Sequence, residues 1–283
     1  MFHYQVYGLH VCSEWELPEF EIFIEQDLKI DLWIRAGQGS VNHMALDIEG
    51  LARFRVSSYE IAVEAATGAP LEEILAFLRG PVLGLVLRQR GGYPLRASAV
   101  ETAEGAVLLL GPEGAGKSTL AAHFRRRGSR VLADDTAVLR EDGRGGFEVL
   151  PGMPQLRLRP DAHGRLGSPE GRRAGGEIVL ALGRSFCPLA TPLRALCFLK
   201  THSEPVTALR PVPGYQRVSW LLANGQPSAI LGPGEGGLVL LGRLARSVEF
   251  LQLLRPDDGC RIEEGVNLLD GFLAEAKART QAG

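Results

Sequence analysis

Ala106-Val107-Leu108-Leu109-Leu110 runs without a break into Gly111-Pro112-Glu113-Gly114-Ala115-Gly116-Lys117-Ser118-Thr119. Five apolar residues in a row predict a strand buried on both faces. The following residues match G-x-x-x-x-G-K-[ST], and a helix is expected from about Ser118 to Arg127, closed by Gly128. Strand, glycine-rich loop and helix in this order are the context in which that motif binds phosphate. The glycines let backbone N–H groups close around a phosphate chain, Lys117 brings a point charge to the β and γ phosphates, and Ser118 offers a hydroxyl to Mg²⁺. Gly111 to Thr119 is therefore the expected nucleotide site, for ATP with Mg²⁺. The plainer alternative is a glycine-rich turn that only joins strand to helix.

Arg130-Val131-Leu132-Ala133 reads as a second strand, ending in Asp134-Asp135. The short connection predicts that the two strands are parallel neighbours with their C-terminal ends on one sheet edge. Adjacent carboxylates after a strand are commonly a solvated turn. Beside a phosphate loop, one can serve a metal while the other takes the proton of an attacking hydroxyl. Neighbouring strand residues point to opposite faces, so the pair works together only if the backbone turns there.

Upstream, Phe20 to Ile24, Ile30 to Ile34 and Ala52 to Ser57 alternate as strands do, with glycines between them. Leu71 to Arg90 has helical spacing, interrupted at Gly80-Pro81. The turn Gly91 to Pro94 marks a boundary between a β-rich unit with a helix, residues 1–92, and a phosphate-loop domain, residues 93–283. Downstream, Gly143 to Gly146 reads as a hairpin turn, and Gln155 to Pro160, Glu177 to Leu182 and Ala195 to Lys200 read as strands. Ser168 to Gly176 and Gly232 to Gly237 read as glycine-rich loops, and Leu238 to Leu254 and Glu263 to Lys277 as helices.

Composition narrows the function further. With 283 residues, 31 basic against 33 acidic side chains and 45% hydrophobic residues, the chain has the make-up of an ordinary globular protein. Nucleic-acid and anionic-membrane binding need a basic surplus that is absent here. No apolar run approaches the length of a membrane span, and the start has no leader pattern. Cys12, Cys187, Cys197 and Cys260 are far apart, with neither zinc spacing nor a disulfide framework, so a reducing cytoplasm is the expected setting. His123 reads as a packed or surface histidine, and Arg157 with Arg159 as a solvated strand face with phosphate contact as the alternative. Trp15, Trp33 and Trp220 read as packing anchors.

GPEGAGKST, followed seventeen residues after its lysine by the first aspartate of RVLADD, resembles the kinase domain of the HPr kinase/phosphorylase family over Leu95 to Leu139. The resemblance implies an α/β P-loop kinase fold related to phosphoenolpyruvate carboxykinase, preceded here by the β-rich unit, and ATP-dependent phosphorylation of serine in a protein. LRASAVE, PGMPQLRLRPDA and the opening YGLHVCSEWELPE are similar to kinases that modify the C-terminal serine of ribosomally made lasso-peptide precursors. Residue by residue, the resemblance makes Lys117 and Ser118 the phosphate and Mg²⁺ residues, Asp134 the catalytic base and Asp135 its acidic neighbour near the metal. Where the family pattern has a histidine, this chain has Arg96, which implies a forward kinase with little phosphorylase activity. The family's second acidic metal motif has no recognisable counterpart. The expected partner is a precursor peptide or small protein, met at a sheet edge of the β-rich unit, and a homo-oligomer is left open. A small-molecule kinase and a nucleotide sensor without turnover are the rival readings.

Overall fold

The computed structural model describes residues 1–18, 20–22, 29–39, 44–167, 171–225, 234–257 and 261–281. The architecture is mixed α/β with three sheets. A seven-stranded sheet holds the N-terminal strands, in the order Glu21–Ile22, Phe2–Val6, Leu9–Ser13, Leu32–Ala36, Glu60–Ala65, Ala52–Val56, Met44–Ile48. The hairpin strands Phe2–Val6 and Leu9–Ser13 escaped the sequence reading, and so did Met44–Ile48 and Glu60–Ala65. Residues 23 and 24 of the expected strand Phe20 to Ile24 lie outside the described residues.

The Gly105–Leu110 strand lies inside a nine-stranded sheet, and Ala106 to Leu110 have no solvent exposure. Its side chains alternate as a pleat requires. Val107 and Leu109 enter the core under the helix Lys117–Arg126 and the C-terminal helix Ile262–Gln281, while Ala106, Leu108 and Leu110 enter the core on the other face with Leu221, Leu241 and Leu244. Two filled layers on one strand explain why every position must be apolar.

The expected neighbour relation is corrected here. Ala97–Thr102 inserts between Gly105–Leu110 and Val131–Ala133 and is antiparallel to both. The two strands are still parallel to each other, so the loop after Leu110 and the carboxylates after Ala133 emerge on the same edge. On its other side Gly105–Leu110 pairs in parallel with Thr191–His202, which pairs in parallel with Glu249–Pro256.

Glu249–Pro256 is itself a correction, because the helix expected from Leu238 to Leu254 divides. The helix is Gly234–Ser247, and Phe250, Leu251 and Leu253 then form a buried strand. A short apolar run carries no distinction between helix and strand until the sheet edge beside it is known. Gly234 to Gly237, expected as loop, already belong to that helix, and Arg172–Ala174, expected as loop, pairs with Glu177–Ala181.

The Leu71 to Arg90 segment breaks where its proline sits. Leu71–Phe77 and Leu83–Gln89 are α-helical, and Leu78–Val82, containing Pro81, forms a π-helical turn. Proline has no N–H to donate and crowds the carbonyl four residues back, so one wider turn is the local solution. This broken helix packs on the N-terminal sheet, and the same core takes in Val138 and Leu150 from beyond residue 92. Tyr7 N–H donates to Pro151 O at 2.8 Å across that junction. Among the described residues, no helix is long and apolar enough to cross a membrane.

Candidate active site

The loop after Leu110 has the backbone its glycines permit. Gly111, Gly114 and Gly116 have φ of 141°, 77° and 87°, in the region that side chains with a Cβ rarely enter. Gly111 N–H donates to Asn224 Oδ1 at 2.9 Å, and Asn224 O accepts from Arg96 N–H at 2.8 Å. Lys117 Nζ folds back over the loop, donating to Gly111 O and Pro112 O, each at 3.0 Å. Burial, then the charge of Arg96, draws the Lys117 ammonium below its usual range, while Asp134, Asp135 and Glu113 act in the opposite direction.

Arg255, at the end of Glu249–Pro256, is buried and donates from Nη2 to Ala115 O at 2.6 Å. A Cβ on Gly116 would fall inside this guanidinium, at a φ where alanine is already strained. Gly116→Ala is therefore expected to lower apo stability by about 1–3 kcal/mol and to remove most of the melting shift given by MgATP, as read by thermal denaturation.

The second half of the site is the turn after Val131–Ala133. Asp134 is buried, and its Oδ1 accepts from Ser98 Oγ at 2.5 Å and from Ser118 Oγ at 2.8 Å, while Oδ2 accepts from Arg157 N–H at 2.8 Å. Burial pushes its carboxyl up to about 6; the three hydrogen bonds pull it down, and Asp135 adds to the rise. Asp135 itself is left-handed, with φ of 63°, and Thr136 N–H closes back on Asp134 O at 2.7 Å. The backbone turn that the paired-carboxylate reading required is thus present.

Two clefts meet at these residues. The larger, about 520 Å³, lies along the glycine loop, with Lys117, Thr119, Arg96, Arg159, Arg165 and Arg255 in its wall. The smaller, about 290 Å³, contains Asp134, Thr136 and Gln155. Ser118, Asp135, Arg157 and Glu177 line both. The basic wall and open glycine backbone of the larger cleft suit a phosphate chain. Ser118, Asp134 and Asp135 form a hard oxygen set of the kind that holds Mg²⁺ together with phosphate oxygens. Among the described residues, no group of three or more His, Cys, Asp or Glu side chains forms a separate metal cluster.

The structure brings the sequence-derived residues to this place. Pro112 and Glu113 are exposed, Glu113 in the lining of the larger cleft, and Ala115 is buried. Arg96 stands in the wall of the larger cleft. His123 is ion-paired to Glu263 of the C-terminal helix at 2.6 Å, away from both clefts. Arg157 and Arg159 both line the larger cleft; Arg159 is solvated there, with 73% of its side chain exposed, as the sequence reading expects, while Arg157 is half-buried and its backbone holds Asp134. Arg255, Asn224, Ser98 and Glu177 escaped the sequence reading. Ser98 carried the one available signal, since it lies in the LRASAVE segment just before the loop.

No family model matches the chain, and no curated protein matches it. Among solved structures, the chain is similar to the Hpr(Ser) kinase/phosphatase from Coxiella burnetii, at 11% identity over 67% of this chain and 95% of that one, with a TM-score of 0.35.

Proposed function

We propose that the chain is an ATP-dependent kinase that transfers the γ-phosphoryl group to a serine hydroxyl of a peptide or small protein, with the C-terminal serine of a lasso precursor peptide as its acceptor. The observation that carries this reading is the meeting of a basic, glycine-lined cleft with a smaller acidic one at Ser118 and Asp135. Such an arrangement sets a donor phosphate and an acceptor hydroxyl on either side of one short gap, and positioning of this kind is the main source of rate in phosphoryl transfer.

In the proposed step the acceptor oxygen bonds to the γ phosphorus, the bond to the β-γ bridging oxygen breaks, ADP leaves, and the hydroxyl proton passes to Asp134. Lys117 and Arg96 hold the phosphoryl oxygens as their charge redistributes. Ser118 and Asp135 would hold Mg²⁺, which would offset charge on the phosphates. Arginine stays protonated near neutral pH, so Arg96 does not shuttle the proton that reversal by phosphate requires.

The bond from Ser118 Oγ to Asp134 favours a second division of labour, in which Asp134 completes the metal shell and Asp135, present on both clefts, takes the proton. Mg²⁺ titration of Asp134→Asn and Asp135→Asn separates the two, because loss of the metal holder raises the Mg²⁺ requirement and loss of the base does not. Cys12, Cys187 and Cys197 are buried free thiols, which fits a cytoplasmic setting.

The test supplies labelled ATP and Mg²⁺ with a precursor peptide from the gene neighbourhood, with free serine, or with neither. Label on peptide serine supports the proposal. Label on free serine alone favours the small-molecule kinase, and bound nucleotide with no turnover favours the sensor.

A further inference from the structure

The strand that leads into the phosphate loop and the strand that follows Arg96 form one antiparallel ladder, and the ladder stops at a defined place. Leu109 is opposite Ser98 and Leu110 is opposite Ala97, so Gly111 and Arg96 are next in register. The N–H groups of these two residues both turn to Asn224. Gly111 N–H donates to its side-chain Oδ1 at 2.9 Å, and Arg96 N–H donates to its backbone O at 2.8 Å. One residue therefore closes both strands where the loop begins.

Asn224 is itself firmly anchored. It ends the helix Gly214–Ala223, its N–H is shared between Trp220 O and Leu221 O at 3.2 Å each, and its Nδ2 donates to Trp220 O at 2.8 Å. An amide side chain has one acceptor and one donor group, and here an N–H faces the first and a carbonyl the second, which fixes its orientation. The ring of Trp220 meets that of Phe198 edge-on at 4.9 Å between centroids, and Phe198 is the strand partner of Leu110. Leu221 has no solvent exposure and belongs to the same core as Leu110. The helix end is thus held by the core that holds the last strand residue before the loop.

Gly111 is confined on its other sides as well. A Cβ there would lie 2.6 Å from Leu199 O of the neighbouring strand, and its own carbonyl accepts from Lys117 at 3.0 Å. That second bond is temporary in the proposed reaction, because Lys117 turns to the phosphates. Asn224 lines neither cleft, so phosphate does not compete for its bonds.

We propose that Asn224 is a positioning residue that sets the phosphate loop against Arg96 by taking a backbone N–H from each. The proposal rests on the kinase reading and deepens it. In that reading the loop and Arg96 act on the same phosphoryl oxygens, and transfer is sensitive to displacements of about 1 Å between such groups. A shared anchor keeps the two in register when Lys117 lets go of Gly111.

Two substitutions separate this role from that of a helix cap. Asn224→Leu keeps the volume and the backbone O and removes both side-chain bonds, whereas Asn224→Asp keeps an acceptor for Gly111 N–H and loses the donor to Trp220 O. Both are expected to melt below wild type without nucleotide. With labelled ATP and the precursor peptide, Asn224→Leu should lower kcat about tenfold or more and raise Kd for MgATP less than about threefold, while Asn224→Asp keeps kcat within about threefold of wild type. In an Arg96→Ala background the same Asn224→Leu change should cost less than about threefold further, as expected of two residues that act as one unit. Wild-type kcat in Asn224→Leu, or equal loss of kcat in the two variants, makes Asn224 a helix cap only and overturns the inference, leaving the kinase reading standing. Hydrogen exchange of wild type tests the point without a substitution. The amides of Gly111 and Arg96 should gain protection together when MgATP binds, and a gain at one alone, or at neither, overturns the inference. Wild type that binds MgATP and labels neither peptide nor free serine overturns the kinase reading and the inference with it.

Discussion

Asp134→Asn is expected to lower phosphoryl transfer by about two to four orders of magnitude and to leave nucleotide affinity near that of wild type. The carboxylate accepts from Ser98, Ser118 and the Arg157 backbone, so it lies where the glycine loop and the smaller cleft meet, the place the proposed transfer requires. An amide fits the same space without the negative charge that either the proton or the metal requires. A stability signature accompanies the loss. The Asp134 carboxyl is raised from 3.8 to about 6 on folding, so the folded state favours its protonated form. That contribution is complete below pH 4 and is lost as pH rises to about 6, a change of about 3 kcal/mol between the two limits. Asparagine does not titrate. The stability of wild type relative to Asp134→Asn, measured by urea denaturation without nucleotide, should therefore fall by about that amount between pH 4 and 7. A flat difference across that range would mean that burial of the charge is not the cost it is taken to be.

Lys117→Ala is expected to remove the melting shift given by MgATP and to reduce transfer by about three orders of magnitude or more. For wild type with MgATP at about a hundred times Kd, mass action adds about 2.7 kcal/mol, which in a chain of this size is a rise of about 5–10 °C. In the free protein the ammonium is tethered to Gly111 O and Pro112 O. Its partners in the loop are carbonyl oxygens, which phosphate oxygens can replace without any refolding of the loop. A wild-type shift from MgATP that survives in Lys117→Ala would place the nucleotide elsewhere.

The glycine-rich loop between strand and helix was legible because its shape is local: Gly111, Gly114 and Gly116 take a left-handed backbone within six residues. The doubly buried strand before it was legible for a similar reason, since both of its faces are filled and no polar position interrupts it. Pairing between distant segments left no such mark. Nothing in Ala97–Thr102 announces that it will lie between the strand of the loop and the strand of the aspartates. Phe250 to Leu254 read as the continuation of a helix because an apolar run is compatible with either structure until Thr191–His202 offers it a partner.

The supports of the site were hidden by the same distance. Arg255 reaches the loop from 140 residues beyond Ala115, and Asn224 reaches it from 113 residues beyond Gly111. Neither belongs to a local pattern. Arg157 shows a subtler limit, because the group that matters to Asp134 is its backbone N–H, which any residue but proline would supply. Tyr7 opens the segment YGLHVCSEWELPE without any local mark of a site, and its place beside the aspartates follows only from the packing of the N-terminal unit against Val138 and Leu150.

Direct passage of a phosphoryl group between the two adjoining clefts, as proposed, is tested by the stereochemistry of transfer from ATP made chiral at its γ phosphorus to a serine peptide. A single in-line displacement predicts inversion at phosphorus in the product of wild type, at a rate that collapses in Asp134→Asn. Retention, which requires a phosphorylated side chain as an intermediate, would contradict it, as would labelled inorganic phosphate as the sole product while MgATP is bound.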